Sequence, residues 1–211
     1  RTFSSAASDV YKRQKKYRSD MKIIILLREP VSRAYSAWNM LKENYDKYHS
    51  KSFKIVRQFI PAYIRNSPAT QNMKTELFEV PAYPSFEEVV AKEMDKIKHG
   101  SPHYEPSFLR RGFYAEQIKR YYEHFPKEQI LILSSKLLKT DLENQLNRIL
   151  NFIDLPNYDW SKLEKQQKNA YKYSEPINTD IKAKLQAFYE PYNKQLFELL
   201  GEEIKLSLIH I

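Results

Sequence analysis

Lys22 to Arg28, KIIILLR, is a continuous run of β-branched and leucine residues of strand length, without the polar alternation of a half-exposed strand. Such a run predicts a strand covered on both faces, as in a parallel sheet. Pro30 stops it and suits the first turn of a helix, and Val31 to Leu41 continues without a breaker, so strand, tight turn and helix follow one another. A second apolar run, Gln129 to Leu133, comes after a helical stretch from Gly112 to Phe125 and before another helix beginning near Thr140. This rhythm is that of a βαβ unit and predicts an α/β fold, a parallel sheet flanked by helices.

Helix starts are signalled twice, by Ser85 with Glu88 and by Thr140 with Glu143, each fitting a capping box in which side chain and backbone satisfy each other's orphan donors. Leu142, Leu146, Ile149, Leu150 and Ile153 repeat at helical spacing and predict a stripe facing the core. A last helix is expected from about Thr179 to Leu200, with Gly201 as a left-handed cap. Asn44 to Pro84 is less regular: Phe53 to Ile64 reads as a helix, and Asn66 to Pro84, with its three prolines, as a loop.

The two ends carry no such pattern. Residues 1–14 have no period and no apolar centre of a signal peptide, and both they and the closing LSLIHI resemble translated adaptor sequence. The expected organisation is therefore a non-native or disordered stretch at 1–14, a partial domain at 15–205 and a non-native tail at 206–211.

Composition then removes whole classes of chemistry. The 211 residues, 42% of them apolar, suffice for one buried core. Three glycines, where average usage would supply about fifteen, cannot build a glycine-rich phosphate loop. Zero cysteines exclude disulfides, thiolate metal sites and cysteine nucleophiles, and the five histidines form no ligand pair at helical spacing, so no metal is expected. A net charge of +9 favours anionic partners such as nucleotides, polyanionic glycans, nucleic acid or acidic membranes, and does not choose among them. No apolar run approaches the roughly 20 residues of a membrane span.

Candidate chemistry gathers where the first strand ends, because ligands of open α/β sheets sit at carboxyl ends of strands and a helix N-terminus there favours phosphate. Arg28 stands at that end, and its planar fork suits a phosphate. An ion pair with a carboxylate such as Glu29 accounts for it equally well. Ser36 follows two turns into the helix, with Arg33 three residues before it on the same face. A serine inside a helix also bonds back to its own backbone.

These residues carry a resemblance. KIIILLREPVSRAYSAW, Lys22 to Trp38, resembles the 3′-phosphate-binding segment of sulfotransferases that use 3′-phosphoadenosine 5′-phosphosulfate (PAPS), a strand followed by Arg-x-Pro-x-x-Arg-Ala-x-Ser and a helix. Phe108 to Pro156 is similar to the helix, strand and helix that follow in that family, and Phe188 to Gly201 resembles its terminal helix. The resemblance implies a sheet fold related to nucleotide kinases and a glycan-type sulfotransferase. Its donor nucleotide would be held by Arg28 and Ser36 at the 3′-phosphate, with Arg33 at a motif position that a helix-surface ion pair explains as well. Lys165 to Tyr173, KQQKNAYKY, corresponds to the family's late basic loop, making Lys168 and Lys172 donor-binding candidates beside the alternative of a solvated basic run; Tyr173 can stack or pack. Gly112 permits either a close approach or a plain helix start.

The departures are as informative. The family's first strand, its 5′-phosphosulfate loop and its acidic base come before the strand at Lys22, and only twenty-one residues precede that strand here. The chain is therefore expected to be an inactive fragment, with no catalytic residue assigned. A histidine that some glycan-acting members place four residues after the serine is replaced by Met40, read as filling core space, and His49 and His103 are read as surface histidines. The expected partners are the nucleotide donor and a glycan or small-molecule acceptor. The compartment would be cytoplasmic in a bacterium and the Golgi lumen in a eukaryote. Two rivals remain: a single-stranded nucleic-acid binder, suggested by sixteen tyrosines interleaved with lysines, and a P-loop kinase, which needs the missing loop.

Overall fold

A computed structural model describes residues 12–48, 54, 58, 68–101, 106–160, 175–204 and 206. The chain divides into two compact units, the first made of Arg1–Glu29, Phe113–Ser174 and Glu190–Ile211, the second of Pro30–Gly112 and Glu175–Tyr189.

The first unit holds the sheet. β1 (Ile23–Leu27) pairs in parallel with β2 (Ile130–Ser134), in a register that sets Ile23 against Ile130 and Leu27 against Ser134. The α/β class and the parallel pairing are as the sequence predicts. Leu27 packs in a core with Tyr114, Ala115, Ile118, Leu196 and Leu206, and Ile25 and Ile132 lie against it. The other face of β1 departs from expectation: Ile24 is 43% and Leu26 53% exposed, so the strand is covered on one face only. Alternate side chains of a strand point to opposite faces, and the packed core of this unit meets β1 on the Ile25 and Leu27 side.

The helices of this unit follow their patterns with two corrections. α4 (Tyr114–Tyr122) buries Tyr114, Ala115 and Ile118 at helical spacing. Thr140 does not cap a helix: it closes the short α5 (Leu137–Thr140), its hydroxyl donates to Lys136 O at 3.2 Å, and Asp141 separates it from α6 (Leu142–Phe152). The Asp141 carboxylate instead accepts from the side-chain amides of Asn144 and Gln145. The expected stripe of α6 is only half-buried, Ile153 being 36% exposed and Gln145 4%. α7 (Thr179–Leu200), whose residues to Tyr189 belong to the second unit and from Glu190 to the first, has the predicted bounds and is followed by Gly201, whose φ of 73° suits glycine.

The second unit is helical. α1 (Pro30–Tyr48) opens on its proline and runs beyond Leu41. Val31, Ala34 and Trp38 form its buried face, and the Trp38 indole donates to Pro84 O at 3.0 Å. Met40 is a correction: two residues past Trp38 it turns away from that face and is 45% exposed rather than core. The segment expected as a loop from Asn66 contains α2 (Pro68–Met73) and a π turn, Lys74–Phe78. Pro68 suits a first helical turn, and Thr70, Met73, Leu77 and Phe78 are buried at helical spacing. α3 (Phe86–Lys98) begins with the predicted capping box between Ser85 and Glu88. Apart from Lys54 and Gln58, the helix expected at Phe53 to Ile64 lies outside the described residues, as do His49 and His103.

Candidate functional site

In the first unit, the end of β1 is pinned through its backbone. Leu27 O accepts from the Ser135 N–H at 2.7 Å, and Arg28 O accepts from the hydroxyl of Tyr114, itself buried, at 2.7 Å. The Arg28 side chain is half-buried, and its guanidinium makes no ion pair or hydrogen bond among the described residues. The ion pair with Glu29 that competed for it is not formed. A forked cation on a fixed backbone, with its donors uncommitted, is suited to an anionic ligand.

In the second unit, Ser36 and Met40 stand one turn apart on α1, on the side away from Val31, Ala34 and Trp38. Ser36 is half-buried and its hydroxyl has no partner among the described residues. Next to it, the Tyr35 hydroxyl donates to Glu175 O at 2.9 Å, only two residues beyond Tyr173 in sequence. Arg33, three residues before Ser36, makes no helix-surface ion pair among the described residues. Its Nη2 donates to Phe108 O, while its Nε is buried without a partner. Lys168, Lys172 and Tyr173 lie outside the described residues.

The residue that the sequence pattern conceals is Glu93. It is 1% exposed, and its carboxylate accepts from the Ser107 hydroxyl at 3.0 Å and the backbone N–H groups of Phe108, Leu109 and Arg110 at 2.7, 2.9 and 3.0 Å. A signal for it exists: Glu93 falls seven residues after Phe86, four after Val89 and three after Val90, on the apolar stripe of α3. The segment it holds ends in a 3₁₀ turn, Arg110–Gly112. Here Gly112 serves close approach, since a Cβ would lie 2.8 Å from Tyr189 Cε1 and 2.9 Å from Pro30 Cβ.

Titration within these units follows local partners. The Ser85 backbone N–H, and then its hydroxyl, hold the Glu88 carboxyl below its usual range. Burial, with Asp46 nearby, pushes the Tyr83 phenol well above its ordinary value, and burial raises Tyr122.

A family model described as a sulfotransferase domain matches residues 9–184, and the chain belongs to that family. It is 27% identical to a membrane-associated sulfotransferase, kil1, of Dictyostelium discoideum over 54% of this chain and 23% of that protein. It is 22% identical to the human heparan sulfate glucosamine 3-O-sulfotransferase 3B1 over 87% of this chain and 43% of that one. The chain thus spans less than half the length of these relatives. The crystal structure of a sulfotransferase from Alicyclobacillus acidocaldarius shares the fold, with a TM-score of 0.55, 24% identity, and coverage of 92% of this chain and 60% of that one. Among the described residues no helix is long and apolar enough to cross a membrane.

Proposed function

We propose that this chain contributes the 3′-phosphate side of the donor site in a sulfotransferase that moves a sulfuryl group from PAPS to a hydroxyl or amine, with a glycan as acceptor. The observation that carries the reading is Arg28: a half-buried residue whose guanidinium has no partner among the described residues, at the carboxyl end of a parallel strand and two residues before a helix N-terminus. Ser36 adds a hydroxyl without a partner among the described residues, and the resemblance gives both residues to the 3′-phosphate. Lys168, Lys172 and Tyr173 are assigned to the donor on the resemblance alone. Arg33, whose Nη2 donates to Phe108 O, is a further donor-binding candidate on its motif position in the resemblance.

In the transfer itself a bond forms from the acceptor oxygen or nitrogen to sulfur and the bond from sulfur to the 5′-phosphate oxygen breaks. Adenosine 3′,5′-bisphosphate leaves, and the acceptor's proton passes to a base outside the residues assigned here. What Arg28 and Ser36 supply is position and charge. The +9 charge suits both a polyanionic donor and an anionic glycan. The heparan sulfate named for the human relatives supports the glycan. The single-strand reading has no such support, and Tyr114 and Tyr189, two of the tyrosines that suggested it, are buried.

Adenosine 3′,5′-bisphosphate should raise the melting temperature of the protein more than adenosine 5′-monophosphate at equal concentration. Equal protection in a thermal scan would remove 3′-phosphate recognition from the chain.

A further inference from the structure

A buried carboxylate that collects four donors from one short segment fixes that segment more rigidly than apolar packing does. With Glu93 holding the Ser107 hydroxyl and the N–H groups of Phe108, Leu109 and Arg110, the carbonyls of the same segment are available for other partners. Phe108 O takes Arg33 Nη2, and Leu109 O takes the Tyr189 hydroxyl at 2.8 Å. At the end of the segment Gly112 lies against Pro30 and the Tyr189 ring, closer than any Cβ would allow. Pro30 and Arg33 bound the first turn of α1, and Ser36 comes three residues later.

We infer that Glu93 and Tyr189 are positioning residues for the 3′-phosphate site: by clamping Phe108–Gly112 from both sides they fix the first turn of α1 and, through it, the direction of Ser36. This rests on the donor reading above and goes beyond it, since neither residue touches the nucleotide. The carboxylate matters through its two oxygens. Oε1 accepts from Ser107 and Arg110, and Oε2 from Phe108 and Leu109. Glu93→Gln keeps the shape but turns one oxygen into a donor, so at least one N–H in the segment loses its acceptor. Tyr189→Phe keeps the ring against Gly112 and removes only the hydroxyl.

The test is calorimetric titration of the whole chain and both variants with adenosine 3′,5′-bisphosphate and with adenosine 5′-monophosphate, alongside circular dichroism to establish that each is folded. The quantity to compare is the ratio of the two affinities, because general loosening lowers both together whereas a displaced Ser36 lowers only the gain from the 3′-phosphate. The natural chain should favour the bisphosphate by about tenfold or more, as one charged hydrogen bond provides. Each folded variant should lose about two- to tenfold of that ratio, within the usual range for coupling through a packed network and no more than the gain itself. A natural chain that does not discriminate overturns the donor reading, and this inference with it. A natural chain that discriminates, with folded variants that keep its ratio, overturns the clamp alone. Should Glu93→Gln fail to fold, Tyr189→Phe decides between the two results.

Discussion

Arg28 in the first unit and Arg33 in the second stand five positions apart in sequence and carry the same guanidinium, yet their surroundings treat them oppositely. Around Arg28 the structure satisfies the backbone, with Tyr114 on its carbonyl and Ser135 on that of Leu27, and leaves the side chain without a partner among the described residues. Around Arg33 the side chain is spent on Phe108 O, within a segment whose Phe108, Leu109 and Arg110 N–H groups are drawn to Glu93. Burying an ionic donor without a partner is costly. The contrast therefore separates a group available to a ligand from one that holds the fold, a distinction that sequence position does not supply.

Removing the anchor of the second unit should have the largest effect. Glu93→Leu should cost about 3 kcal/mol or more in urea unfolding, because each buried donor left without an acceptor costs about 1–3 kcal/mol. A loss under 1 kcal/mol would show that water or relaxed geometry replaces the carboxylate. Arg28→Ala sharpens the comparison from the other side. It should weaken bisphosphate binding by about 1.5–3 kcal/mol, the worth of a charged hydrogen bond, while unfolding shifts by no more than about 0.5 kcal/mol. A variant that unfolds early and binds normally would reverse the roles assigned to the two arginines.

Smaller effects probe the contacts around the clamp. Gly112→Ala should destabilise by about 1–3 kcal/mol, as overpacking does, since the new methyl meets Tyr189 and Pro30 inside 3 Å. Ser85→Ala should cost about 1 kcal/mol through loss of the α3 cap. The cap also has a pH signature. Because the folded Glu88 carboxyl sits below its ordinary value, its contribution is present above about pH 4.3, the usual glutamate value, and is lost as pH falls through the lower folded value. Ser85→Ala removes the hydroxyl and keeps the backbone N–H, so it should shrink that acid limb without abolishing it, which unfolding curves between pH 2 and 6 will show.

What the sequence revealed and what it hid divide along the range of the interactions. β1, the start of α1 at Pro30, the Ser85 box and the stop at Gly201 depend on neighbours within a few residues, so pattern suffices for them. The fold could be read further than those signals reach because the strand, turn and helix around Arg28 resemble a known segment. Glu93 depends on donors fourteen to seventeen residues away, and a glutamate in FEEVVAKEMD reads as solvated until its place on the stripe is weighed. Met40 is apolar and yet exposed, because its angle on α1 turns it away from Ala34 and Trp38. The segment after Asn66 reads as a loop because prolines break most helices, whereas Pro68 opens one. The Thr140 motif has the right spacing and the wrong backbone, since Asp141 at φ −144° interrupts the turn.

The bare flank of β1 has a practical consequence. Ile24 and Leu26 present branched aliphatic side chains to solvent on a strand whose described pairing is with β2 alone. Such a ribbon is adhesive, and crowding the protein during purification will favour clumping over a single hydrodynamic species. Lysine at position 24 or 26 would make that surface repel itself without entering the core, giving a preparation in which the titrations can be run at high concentration.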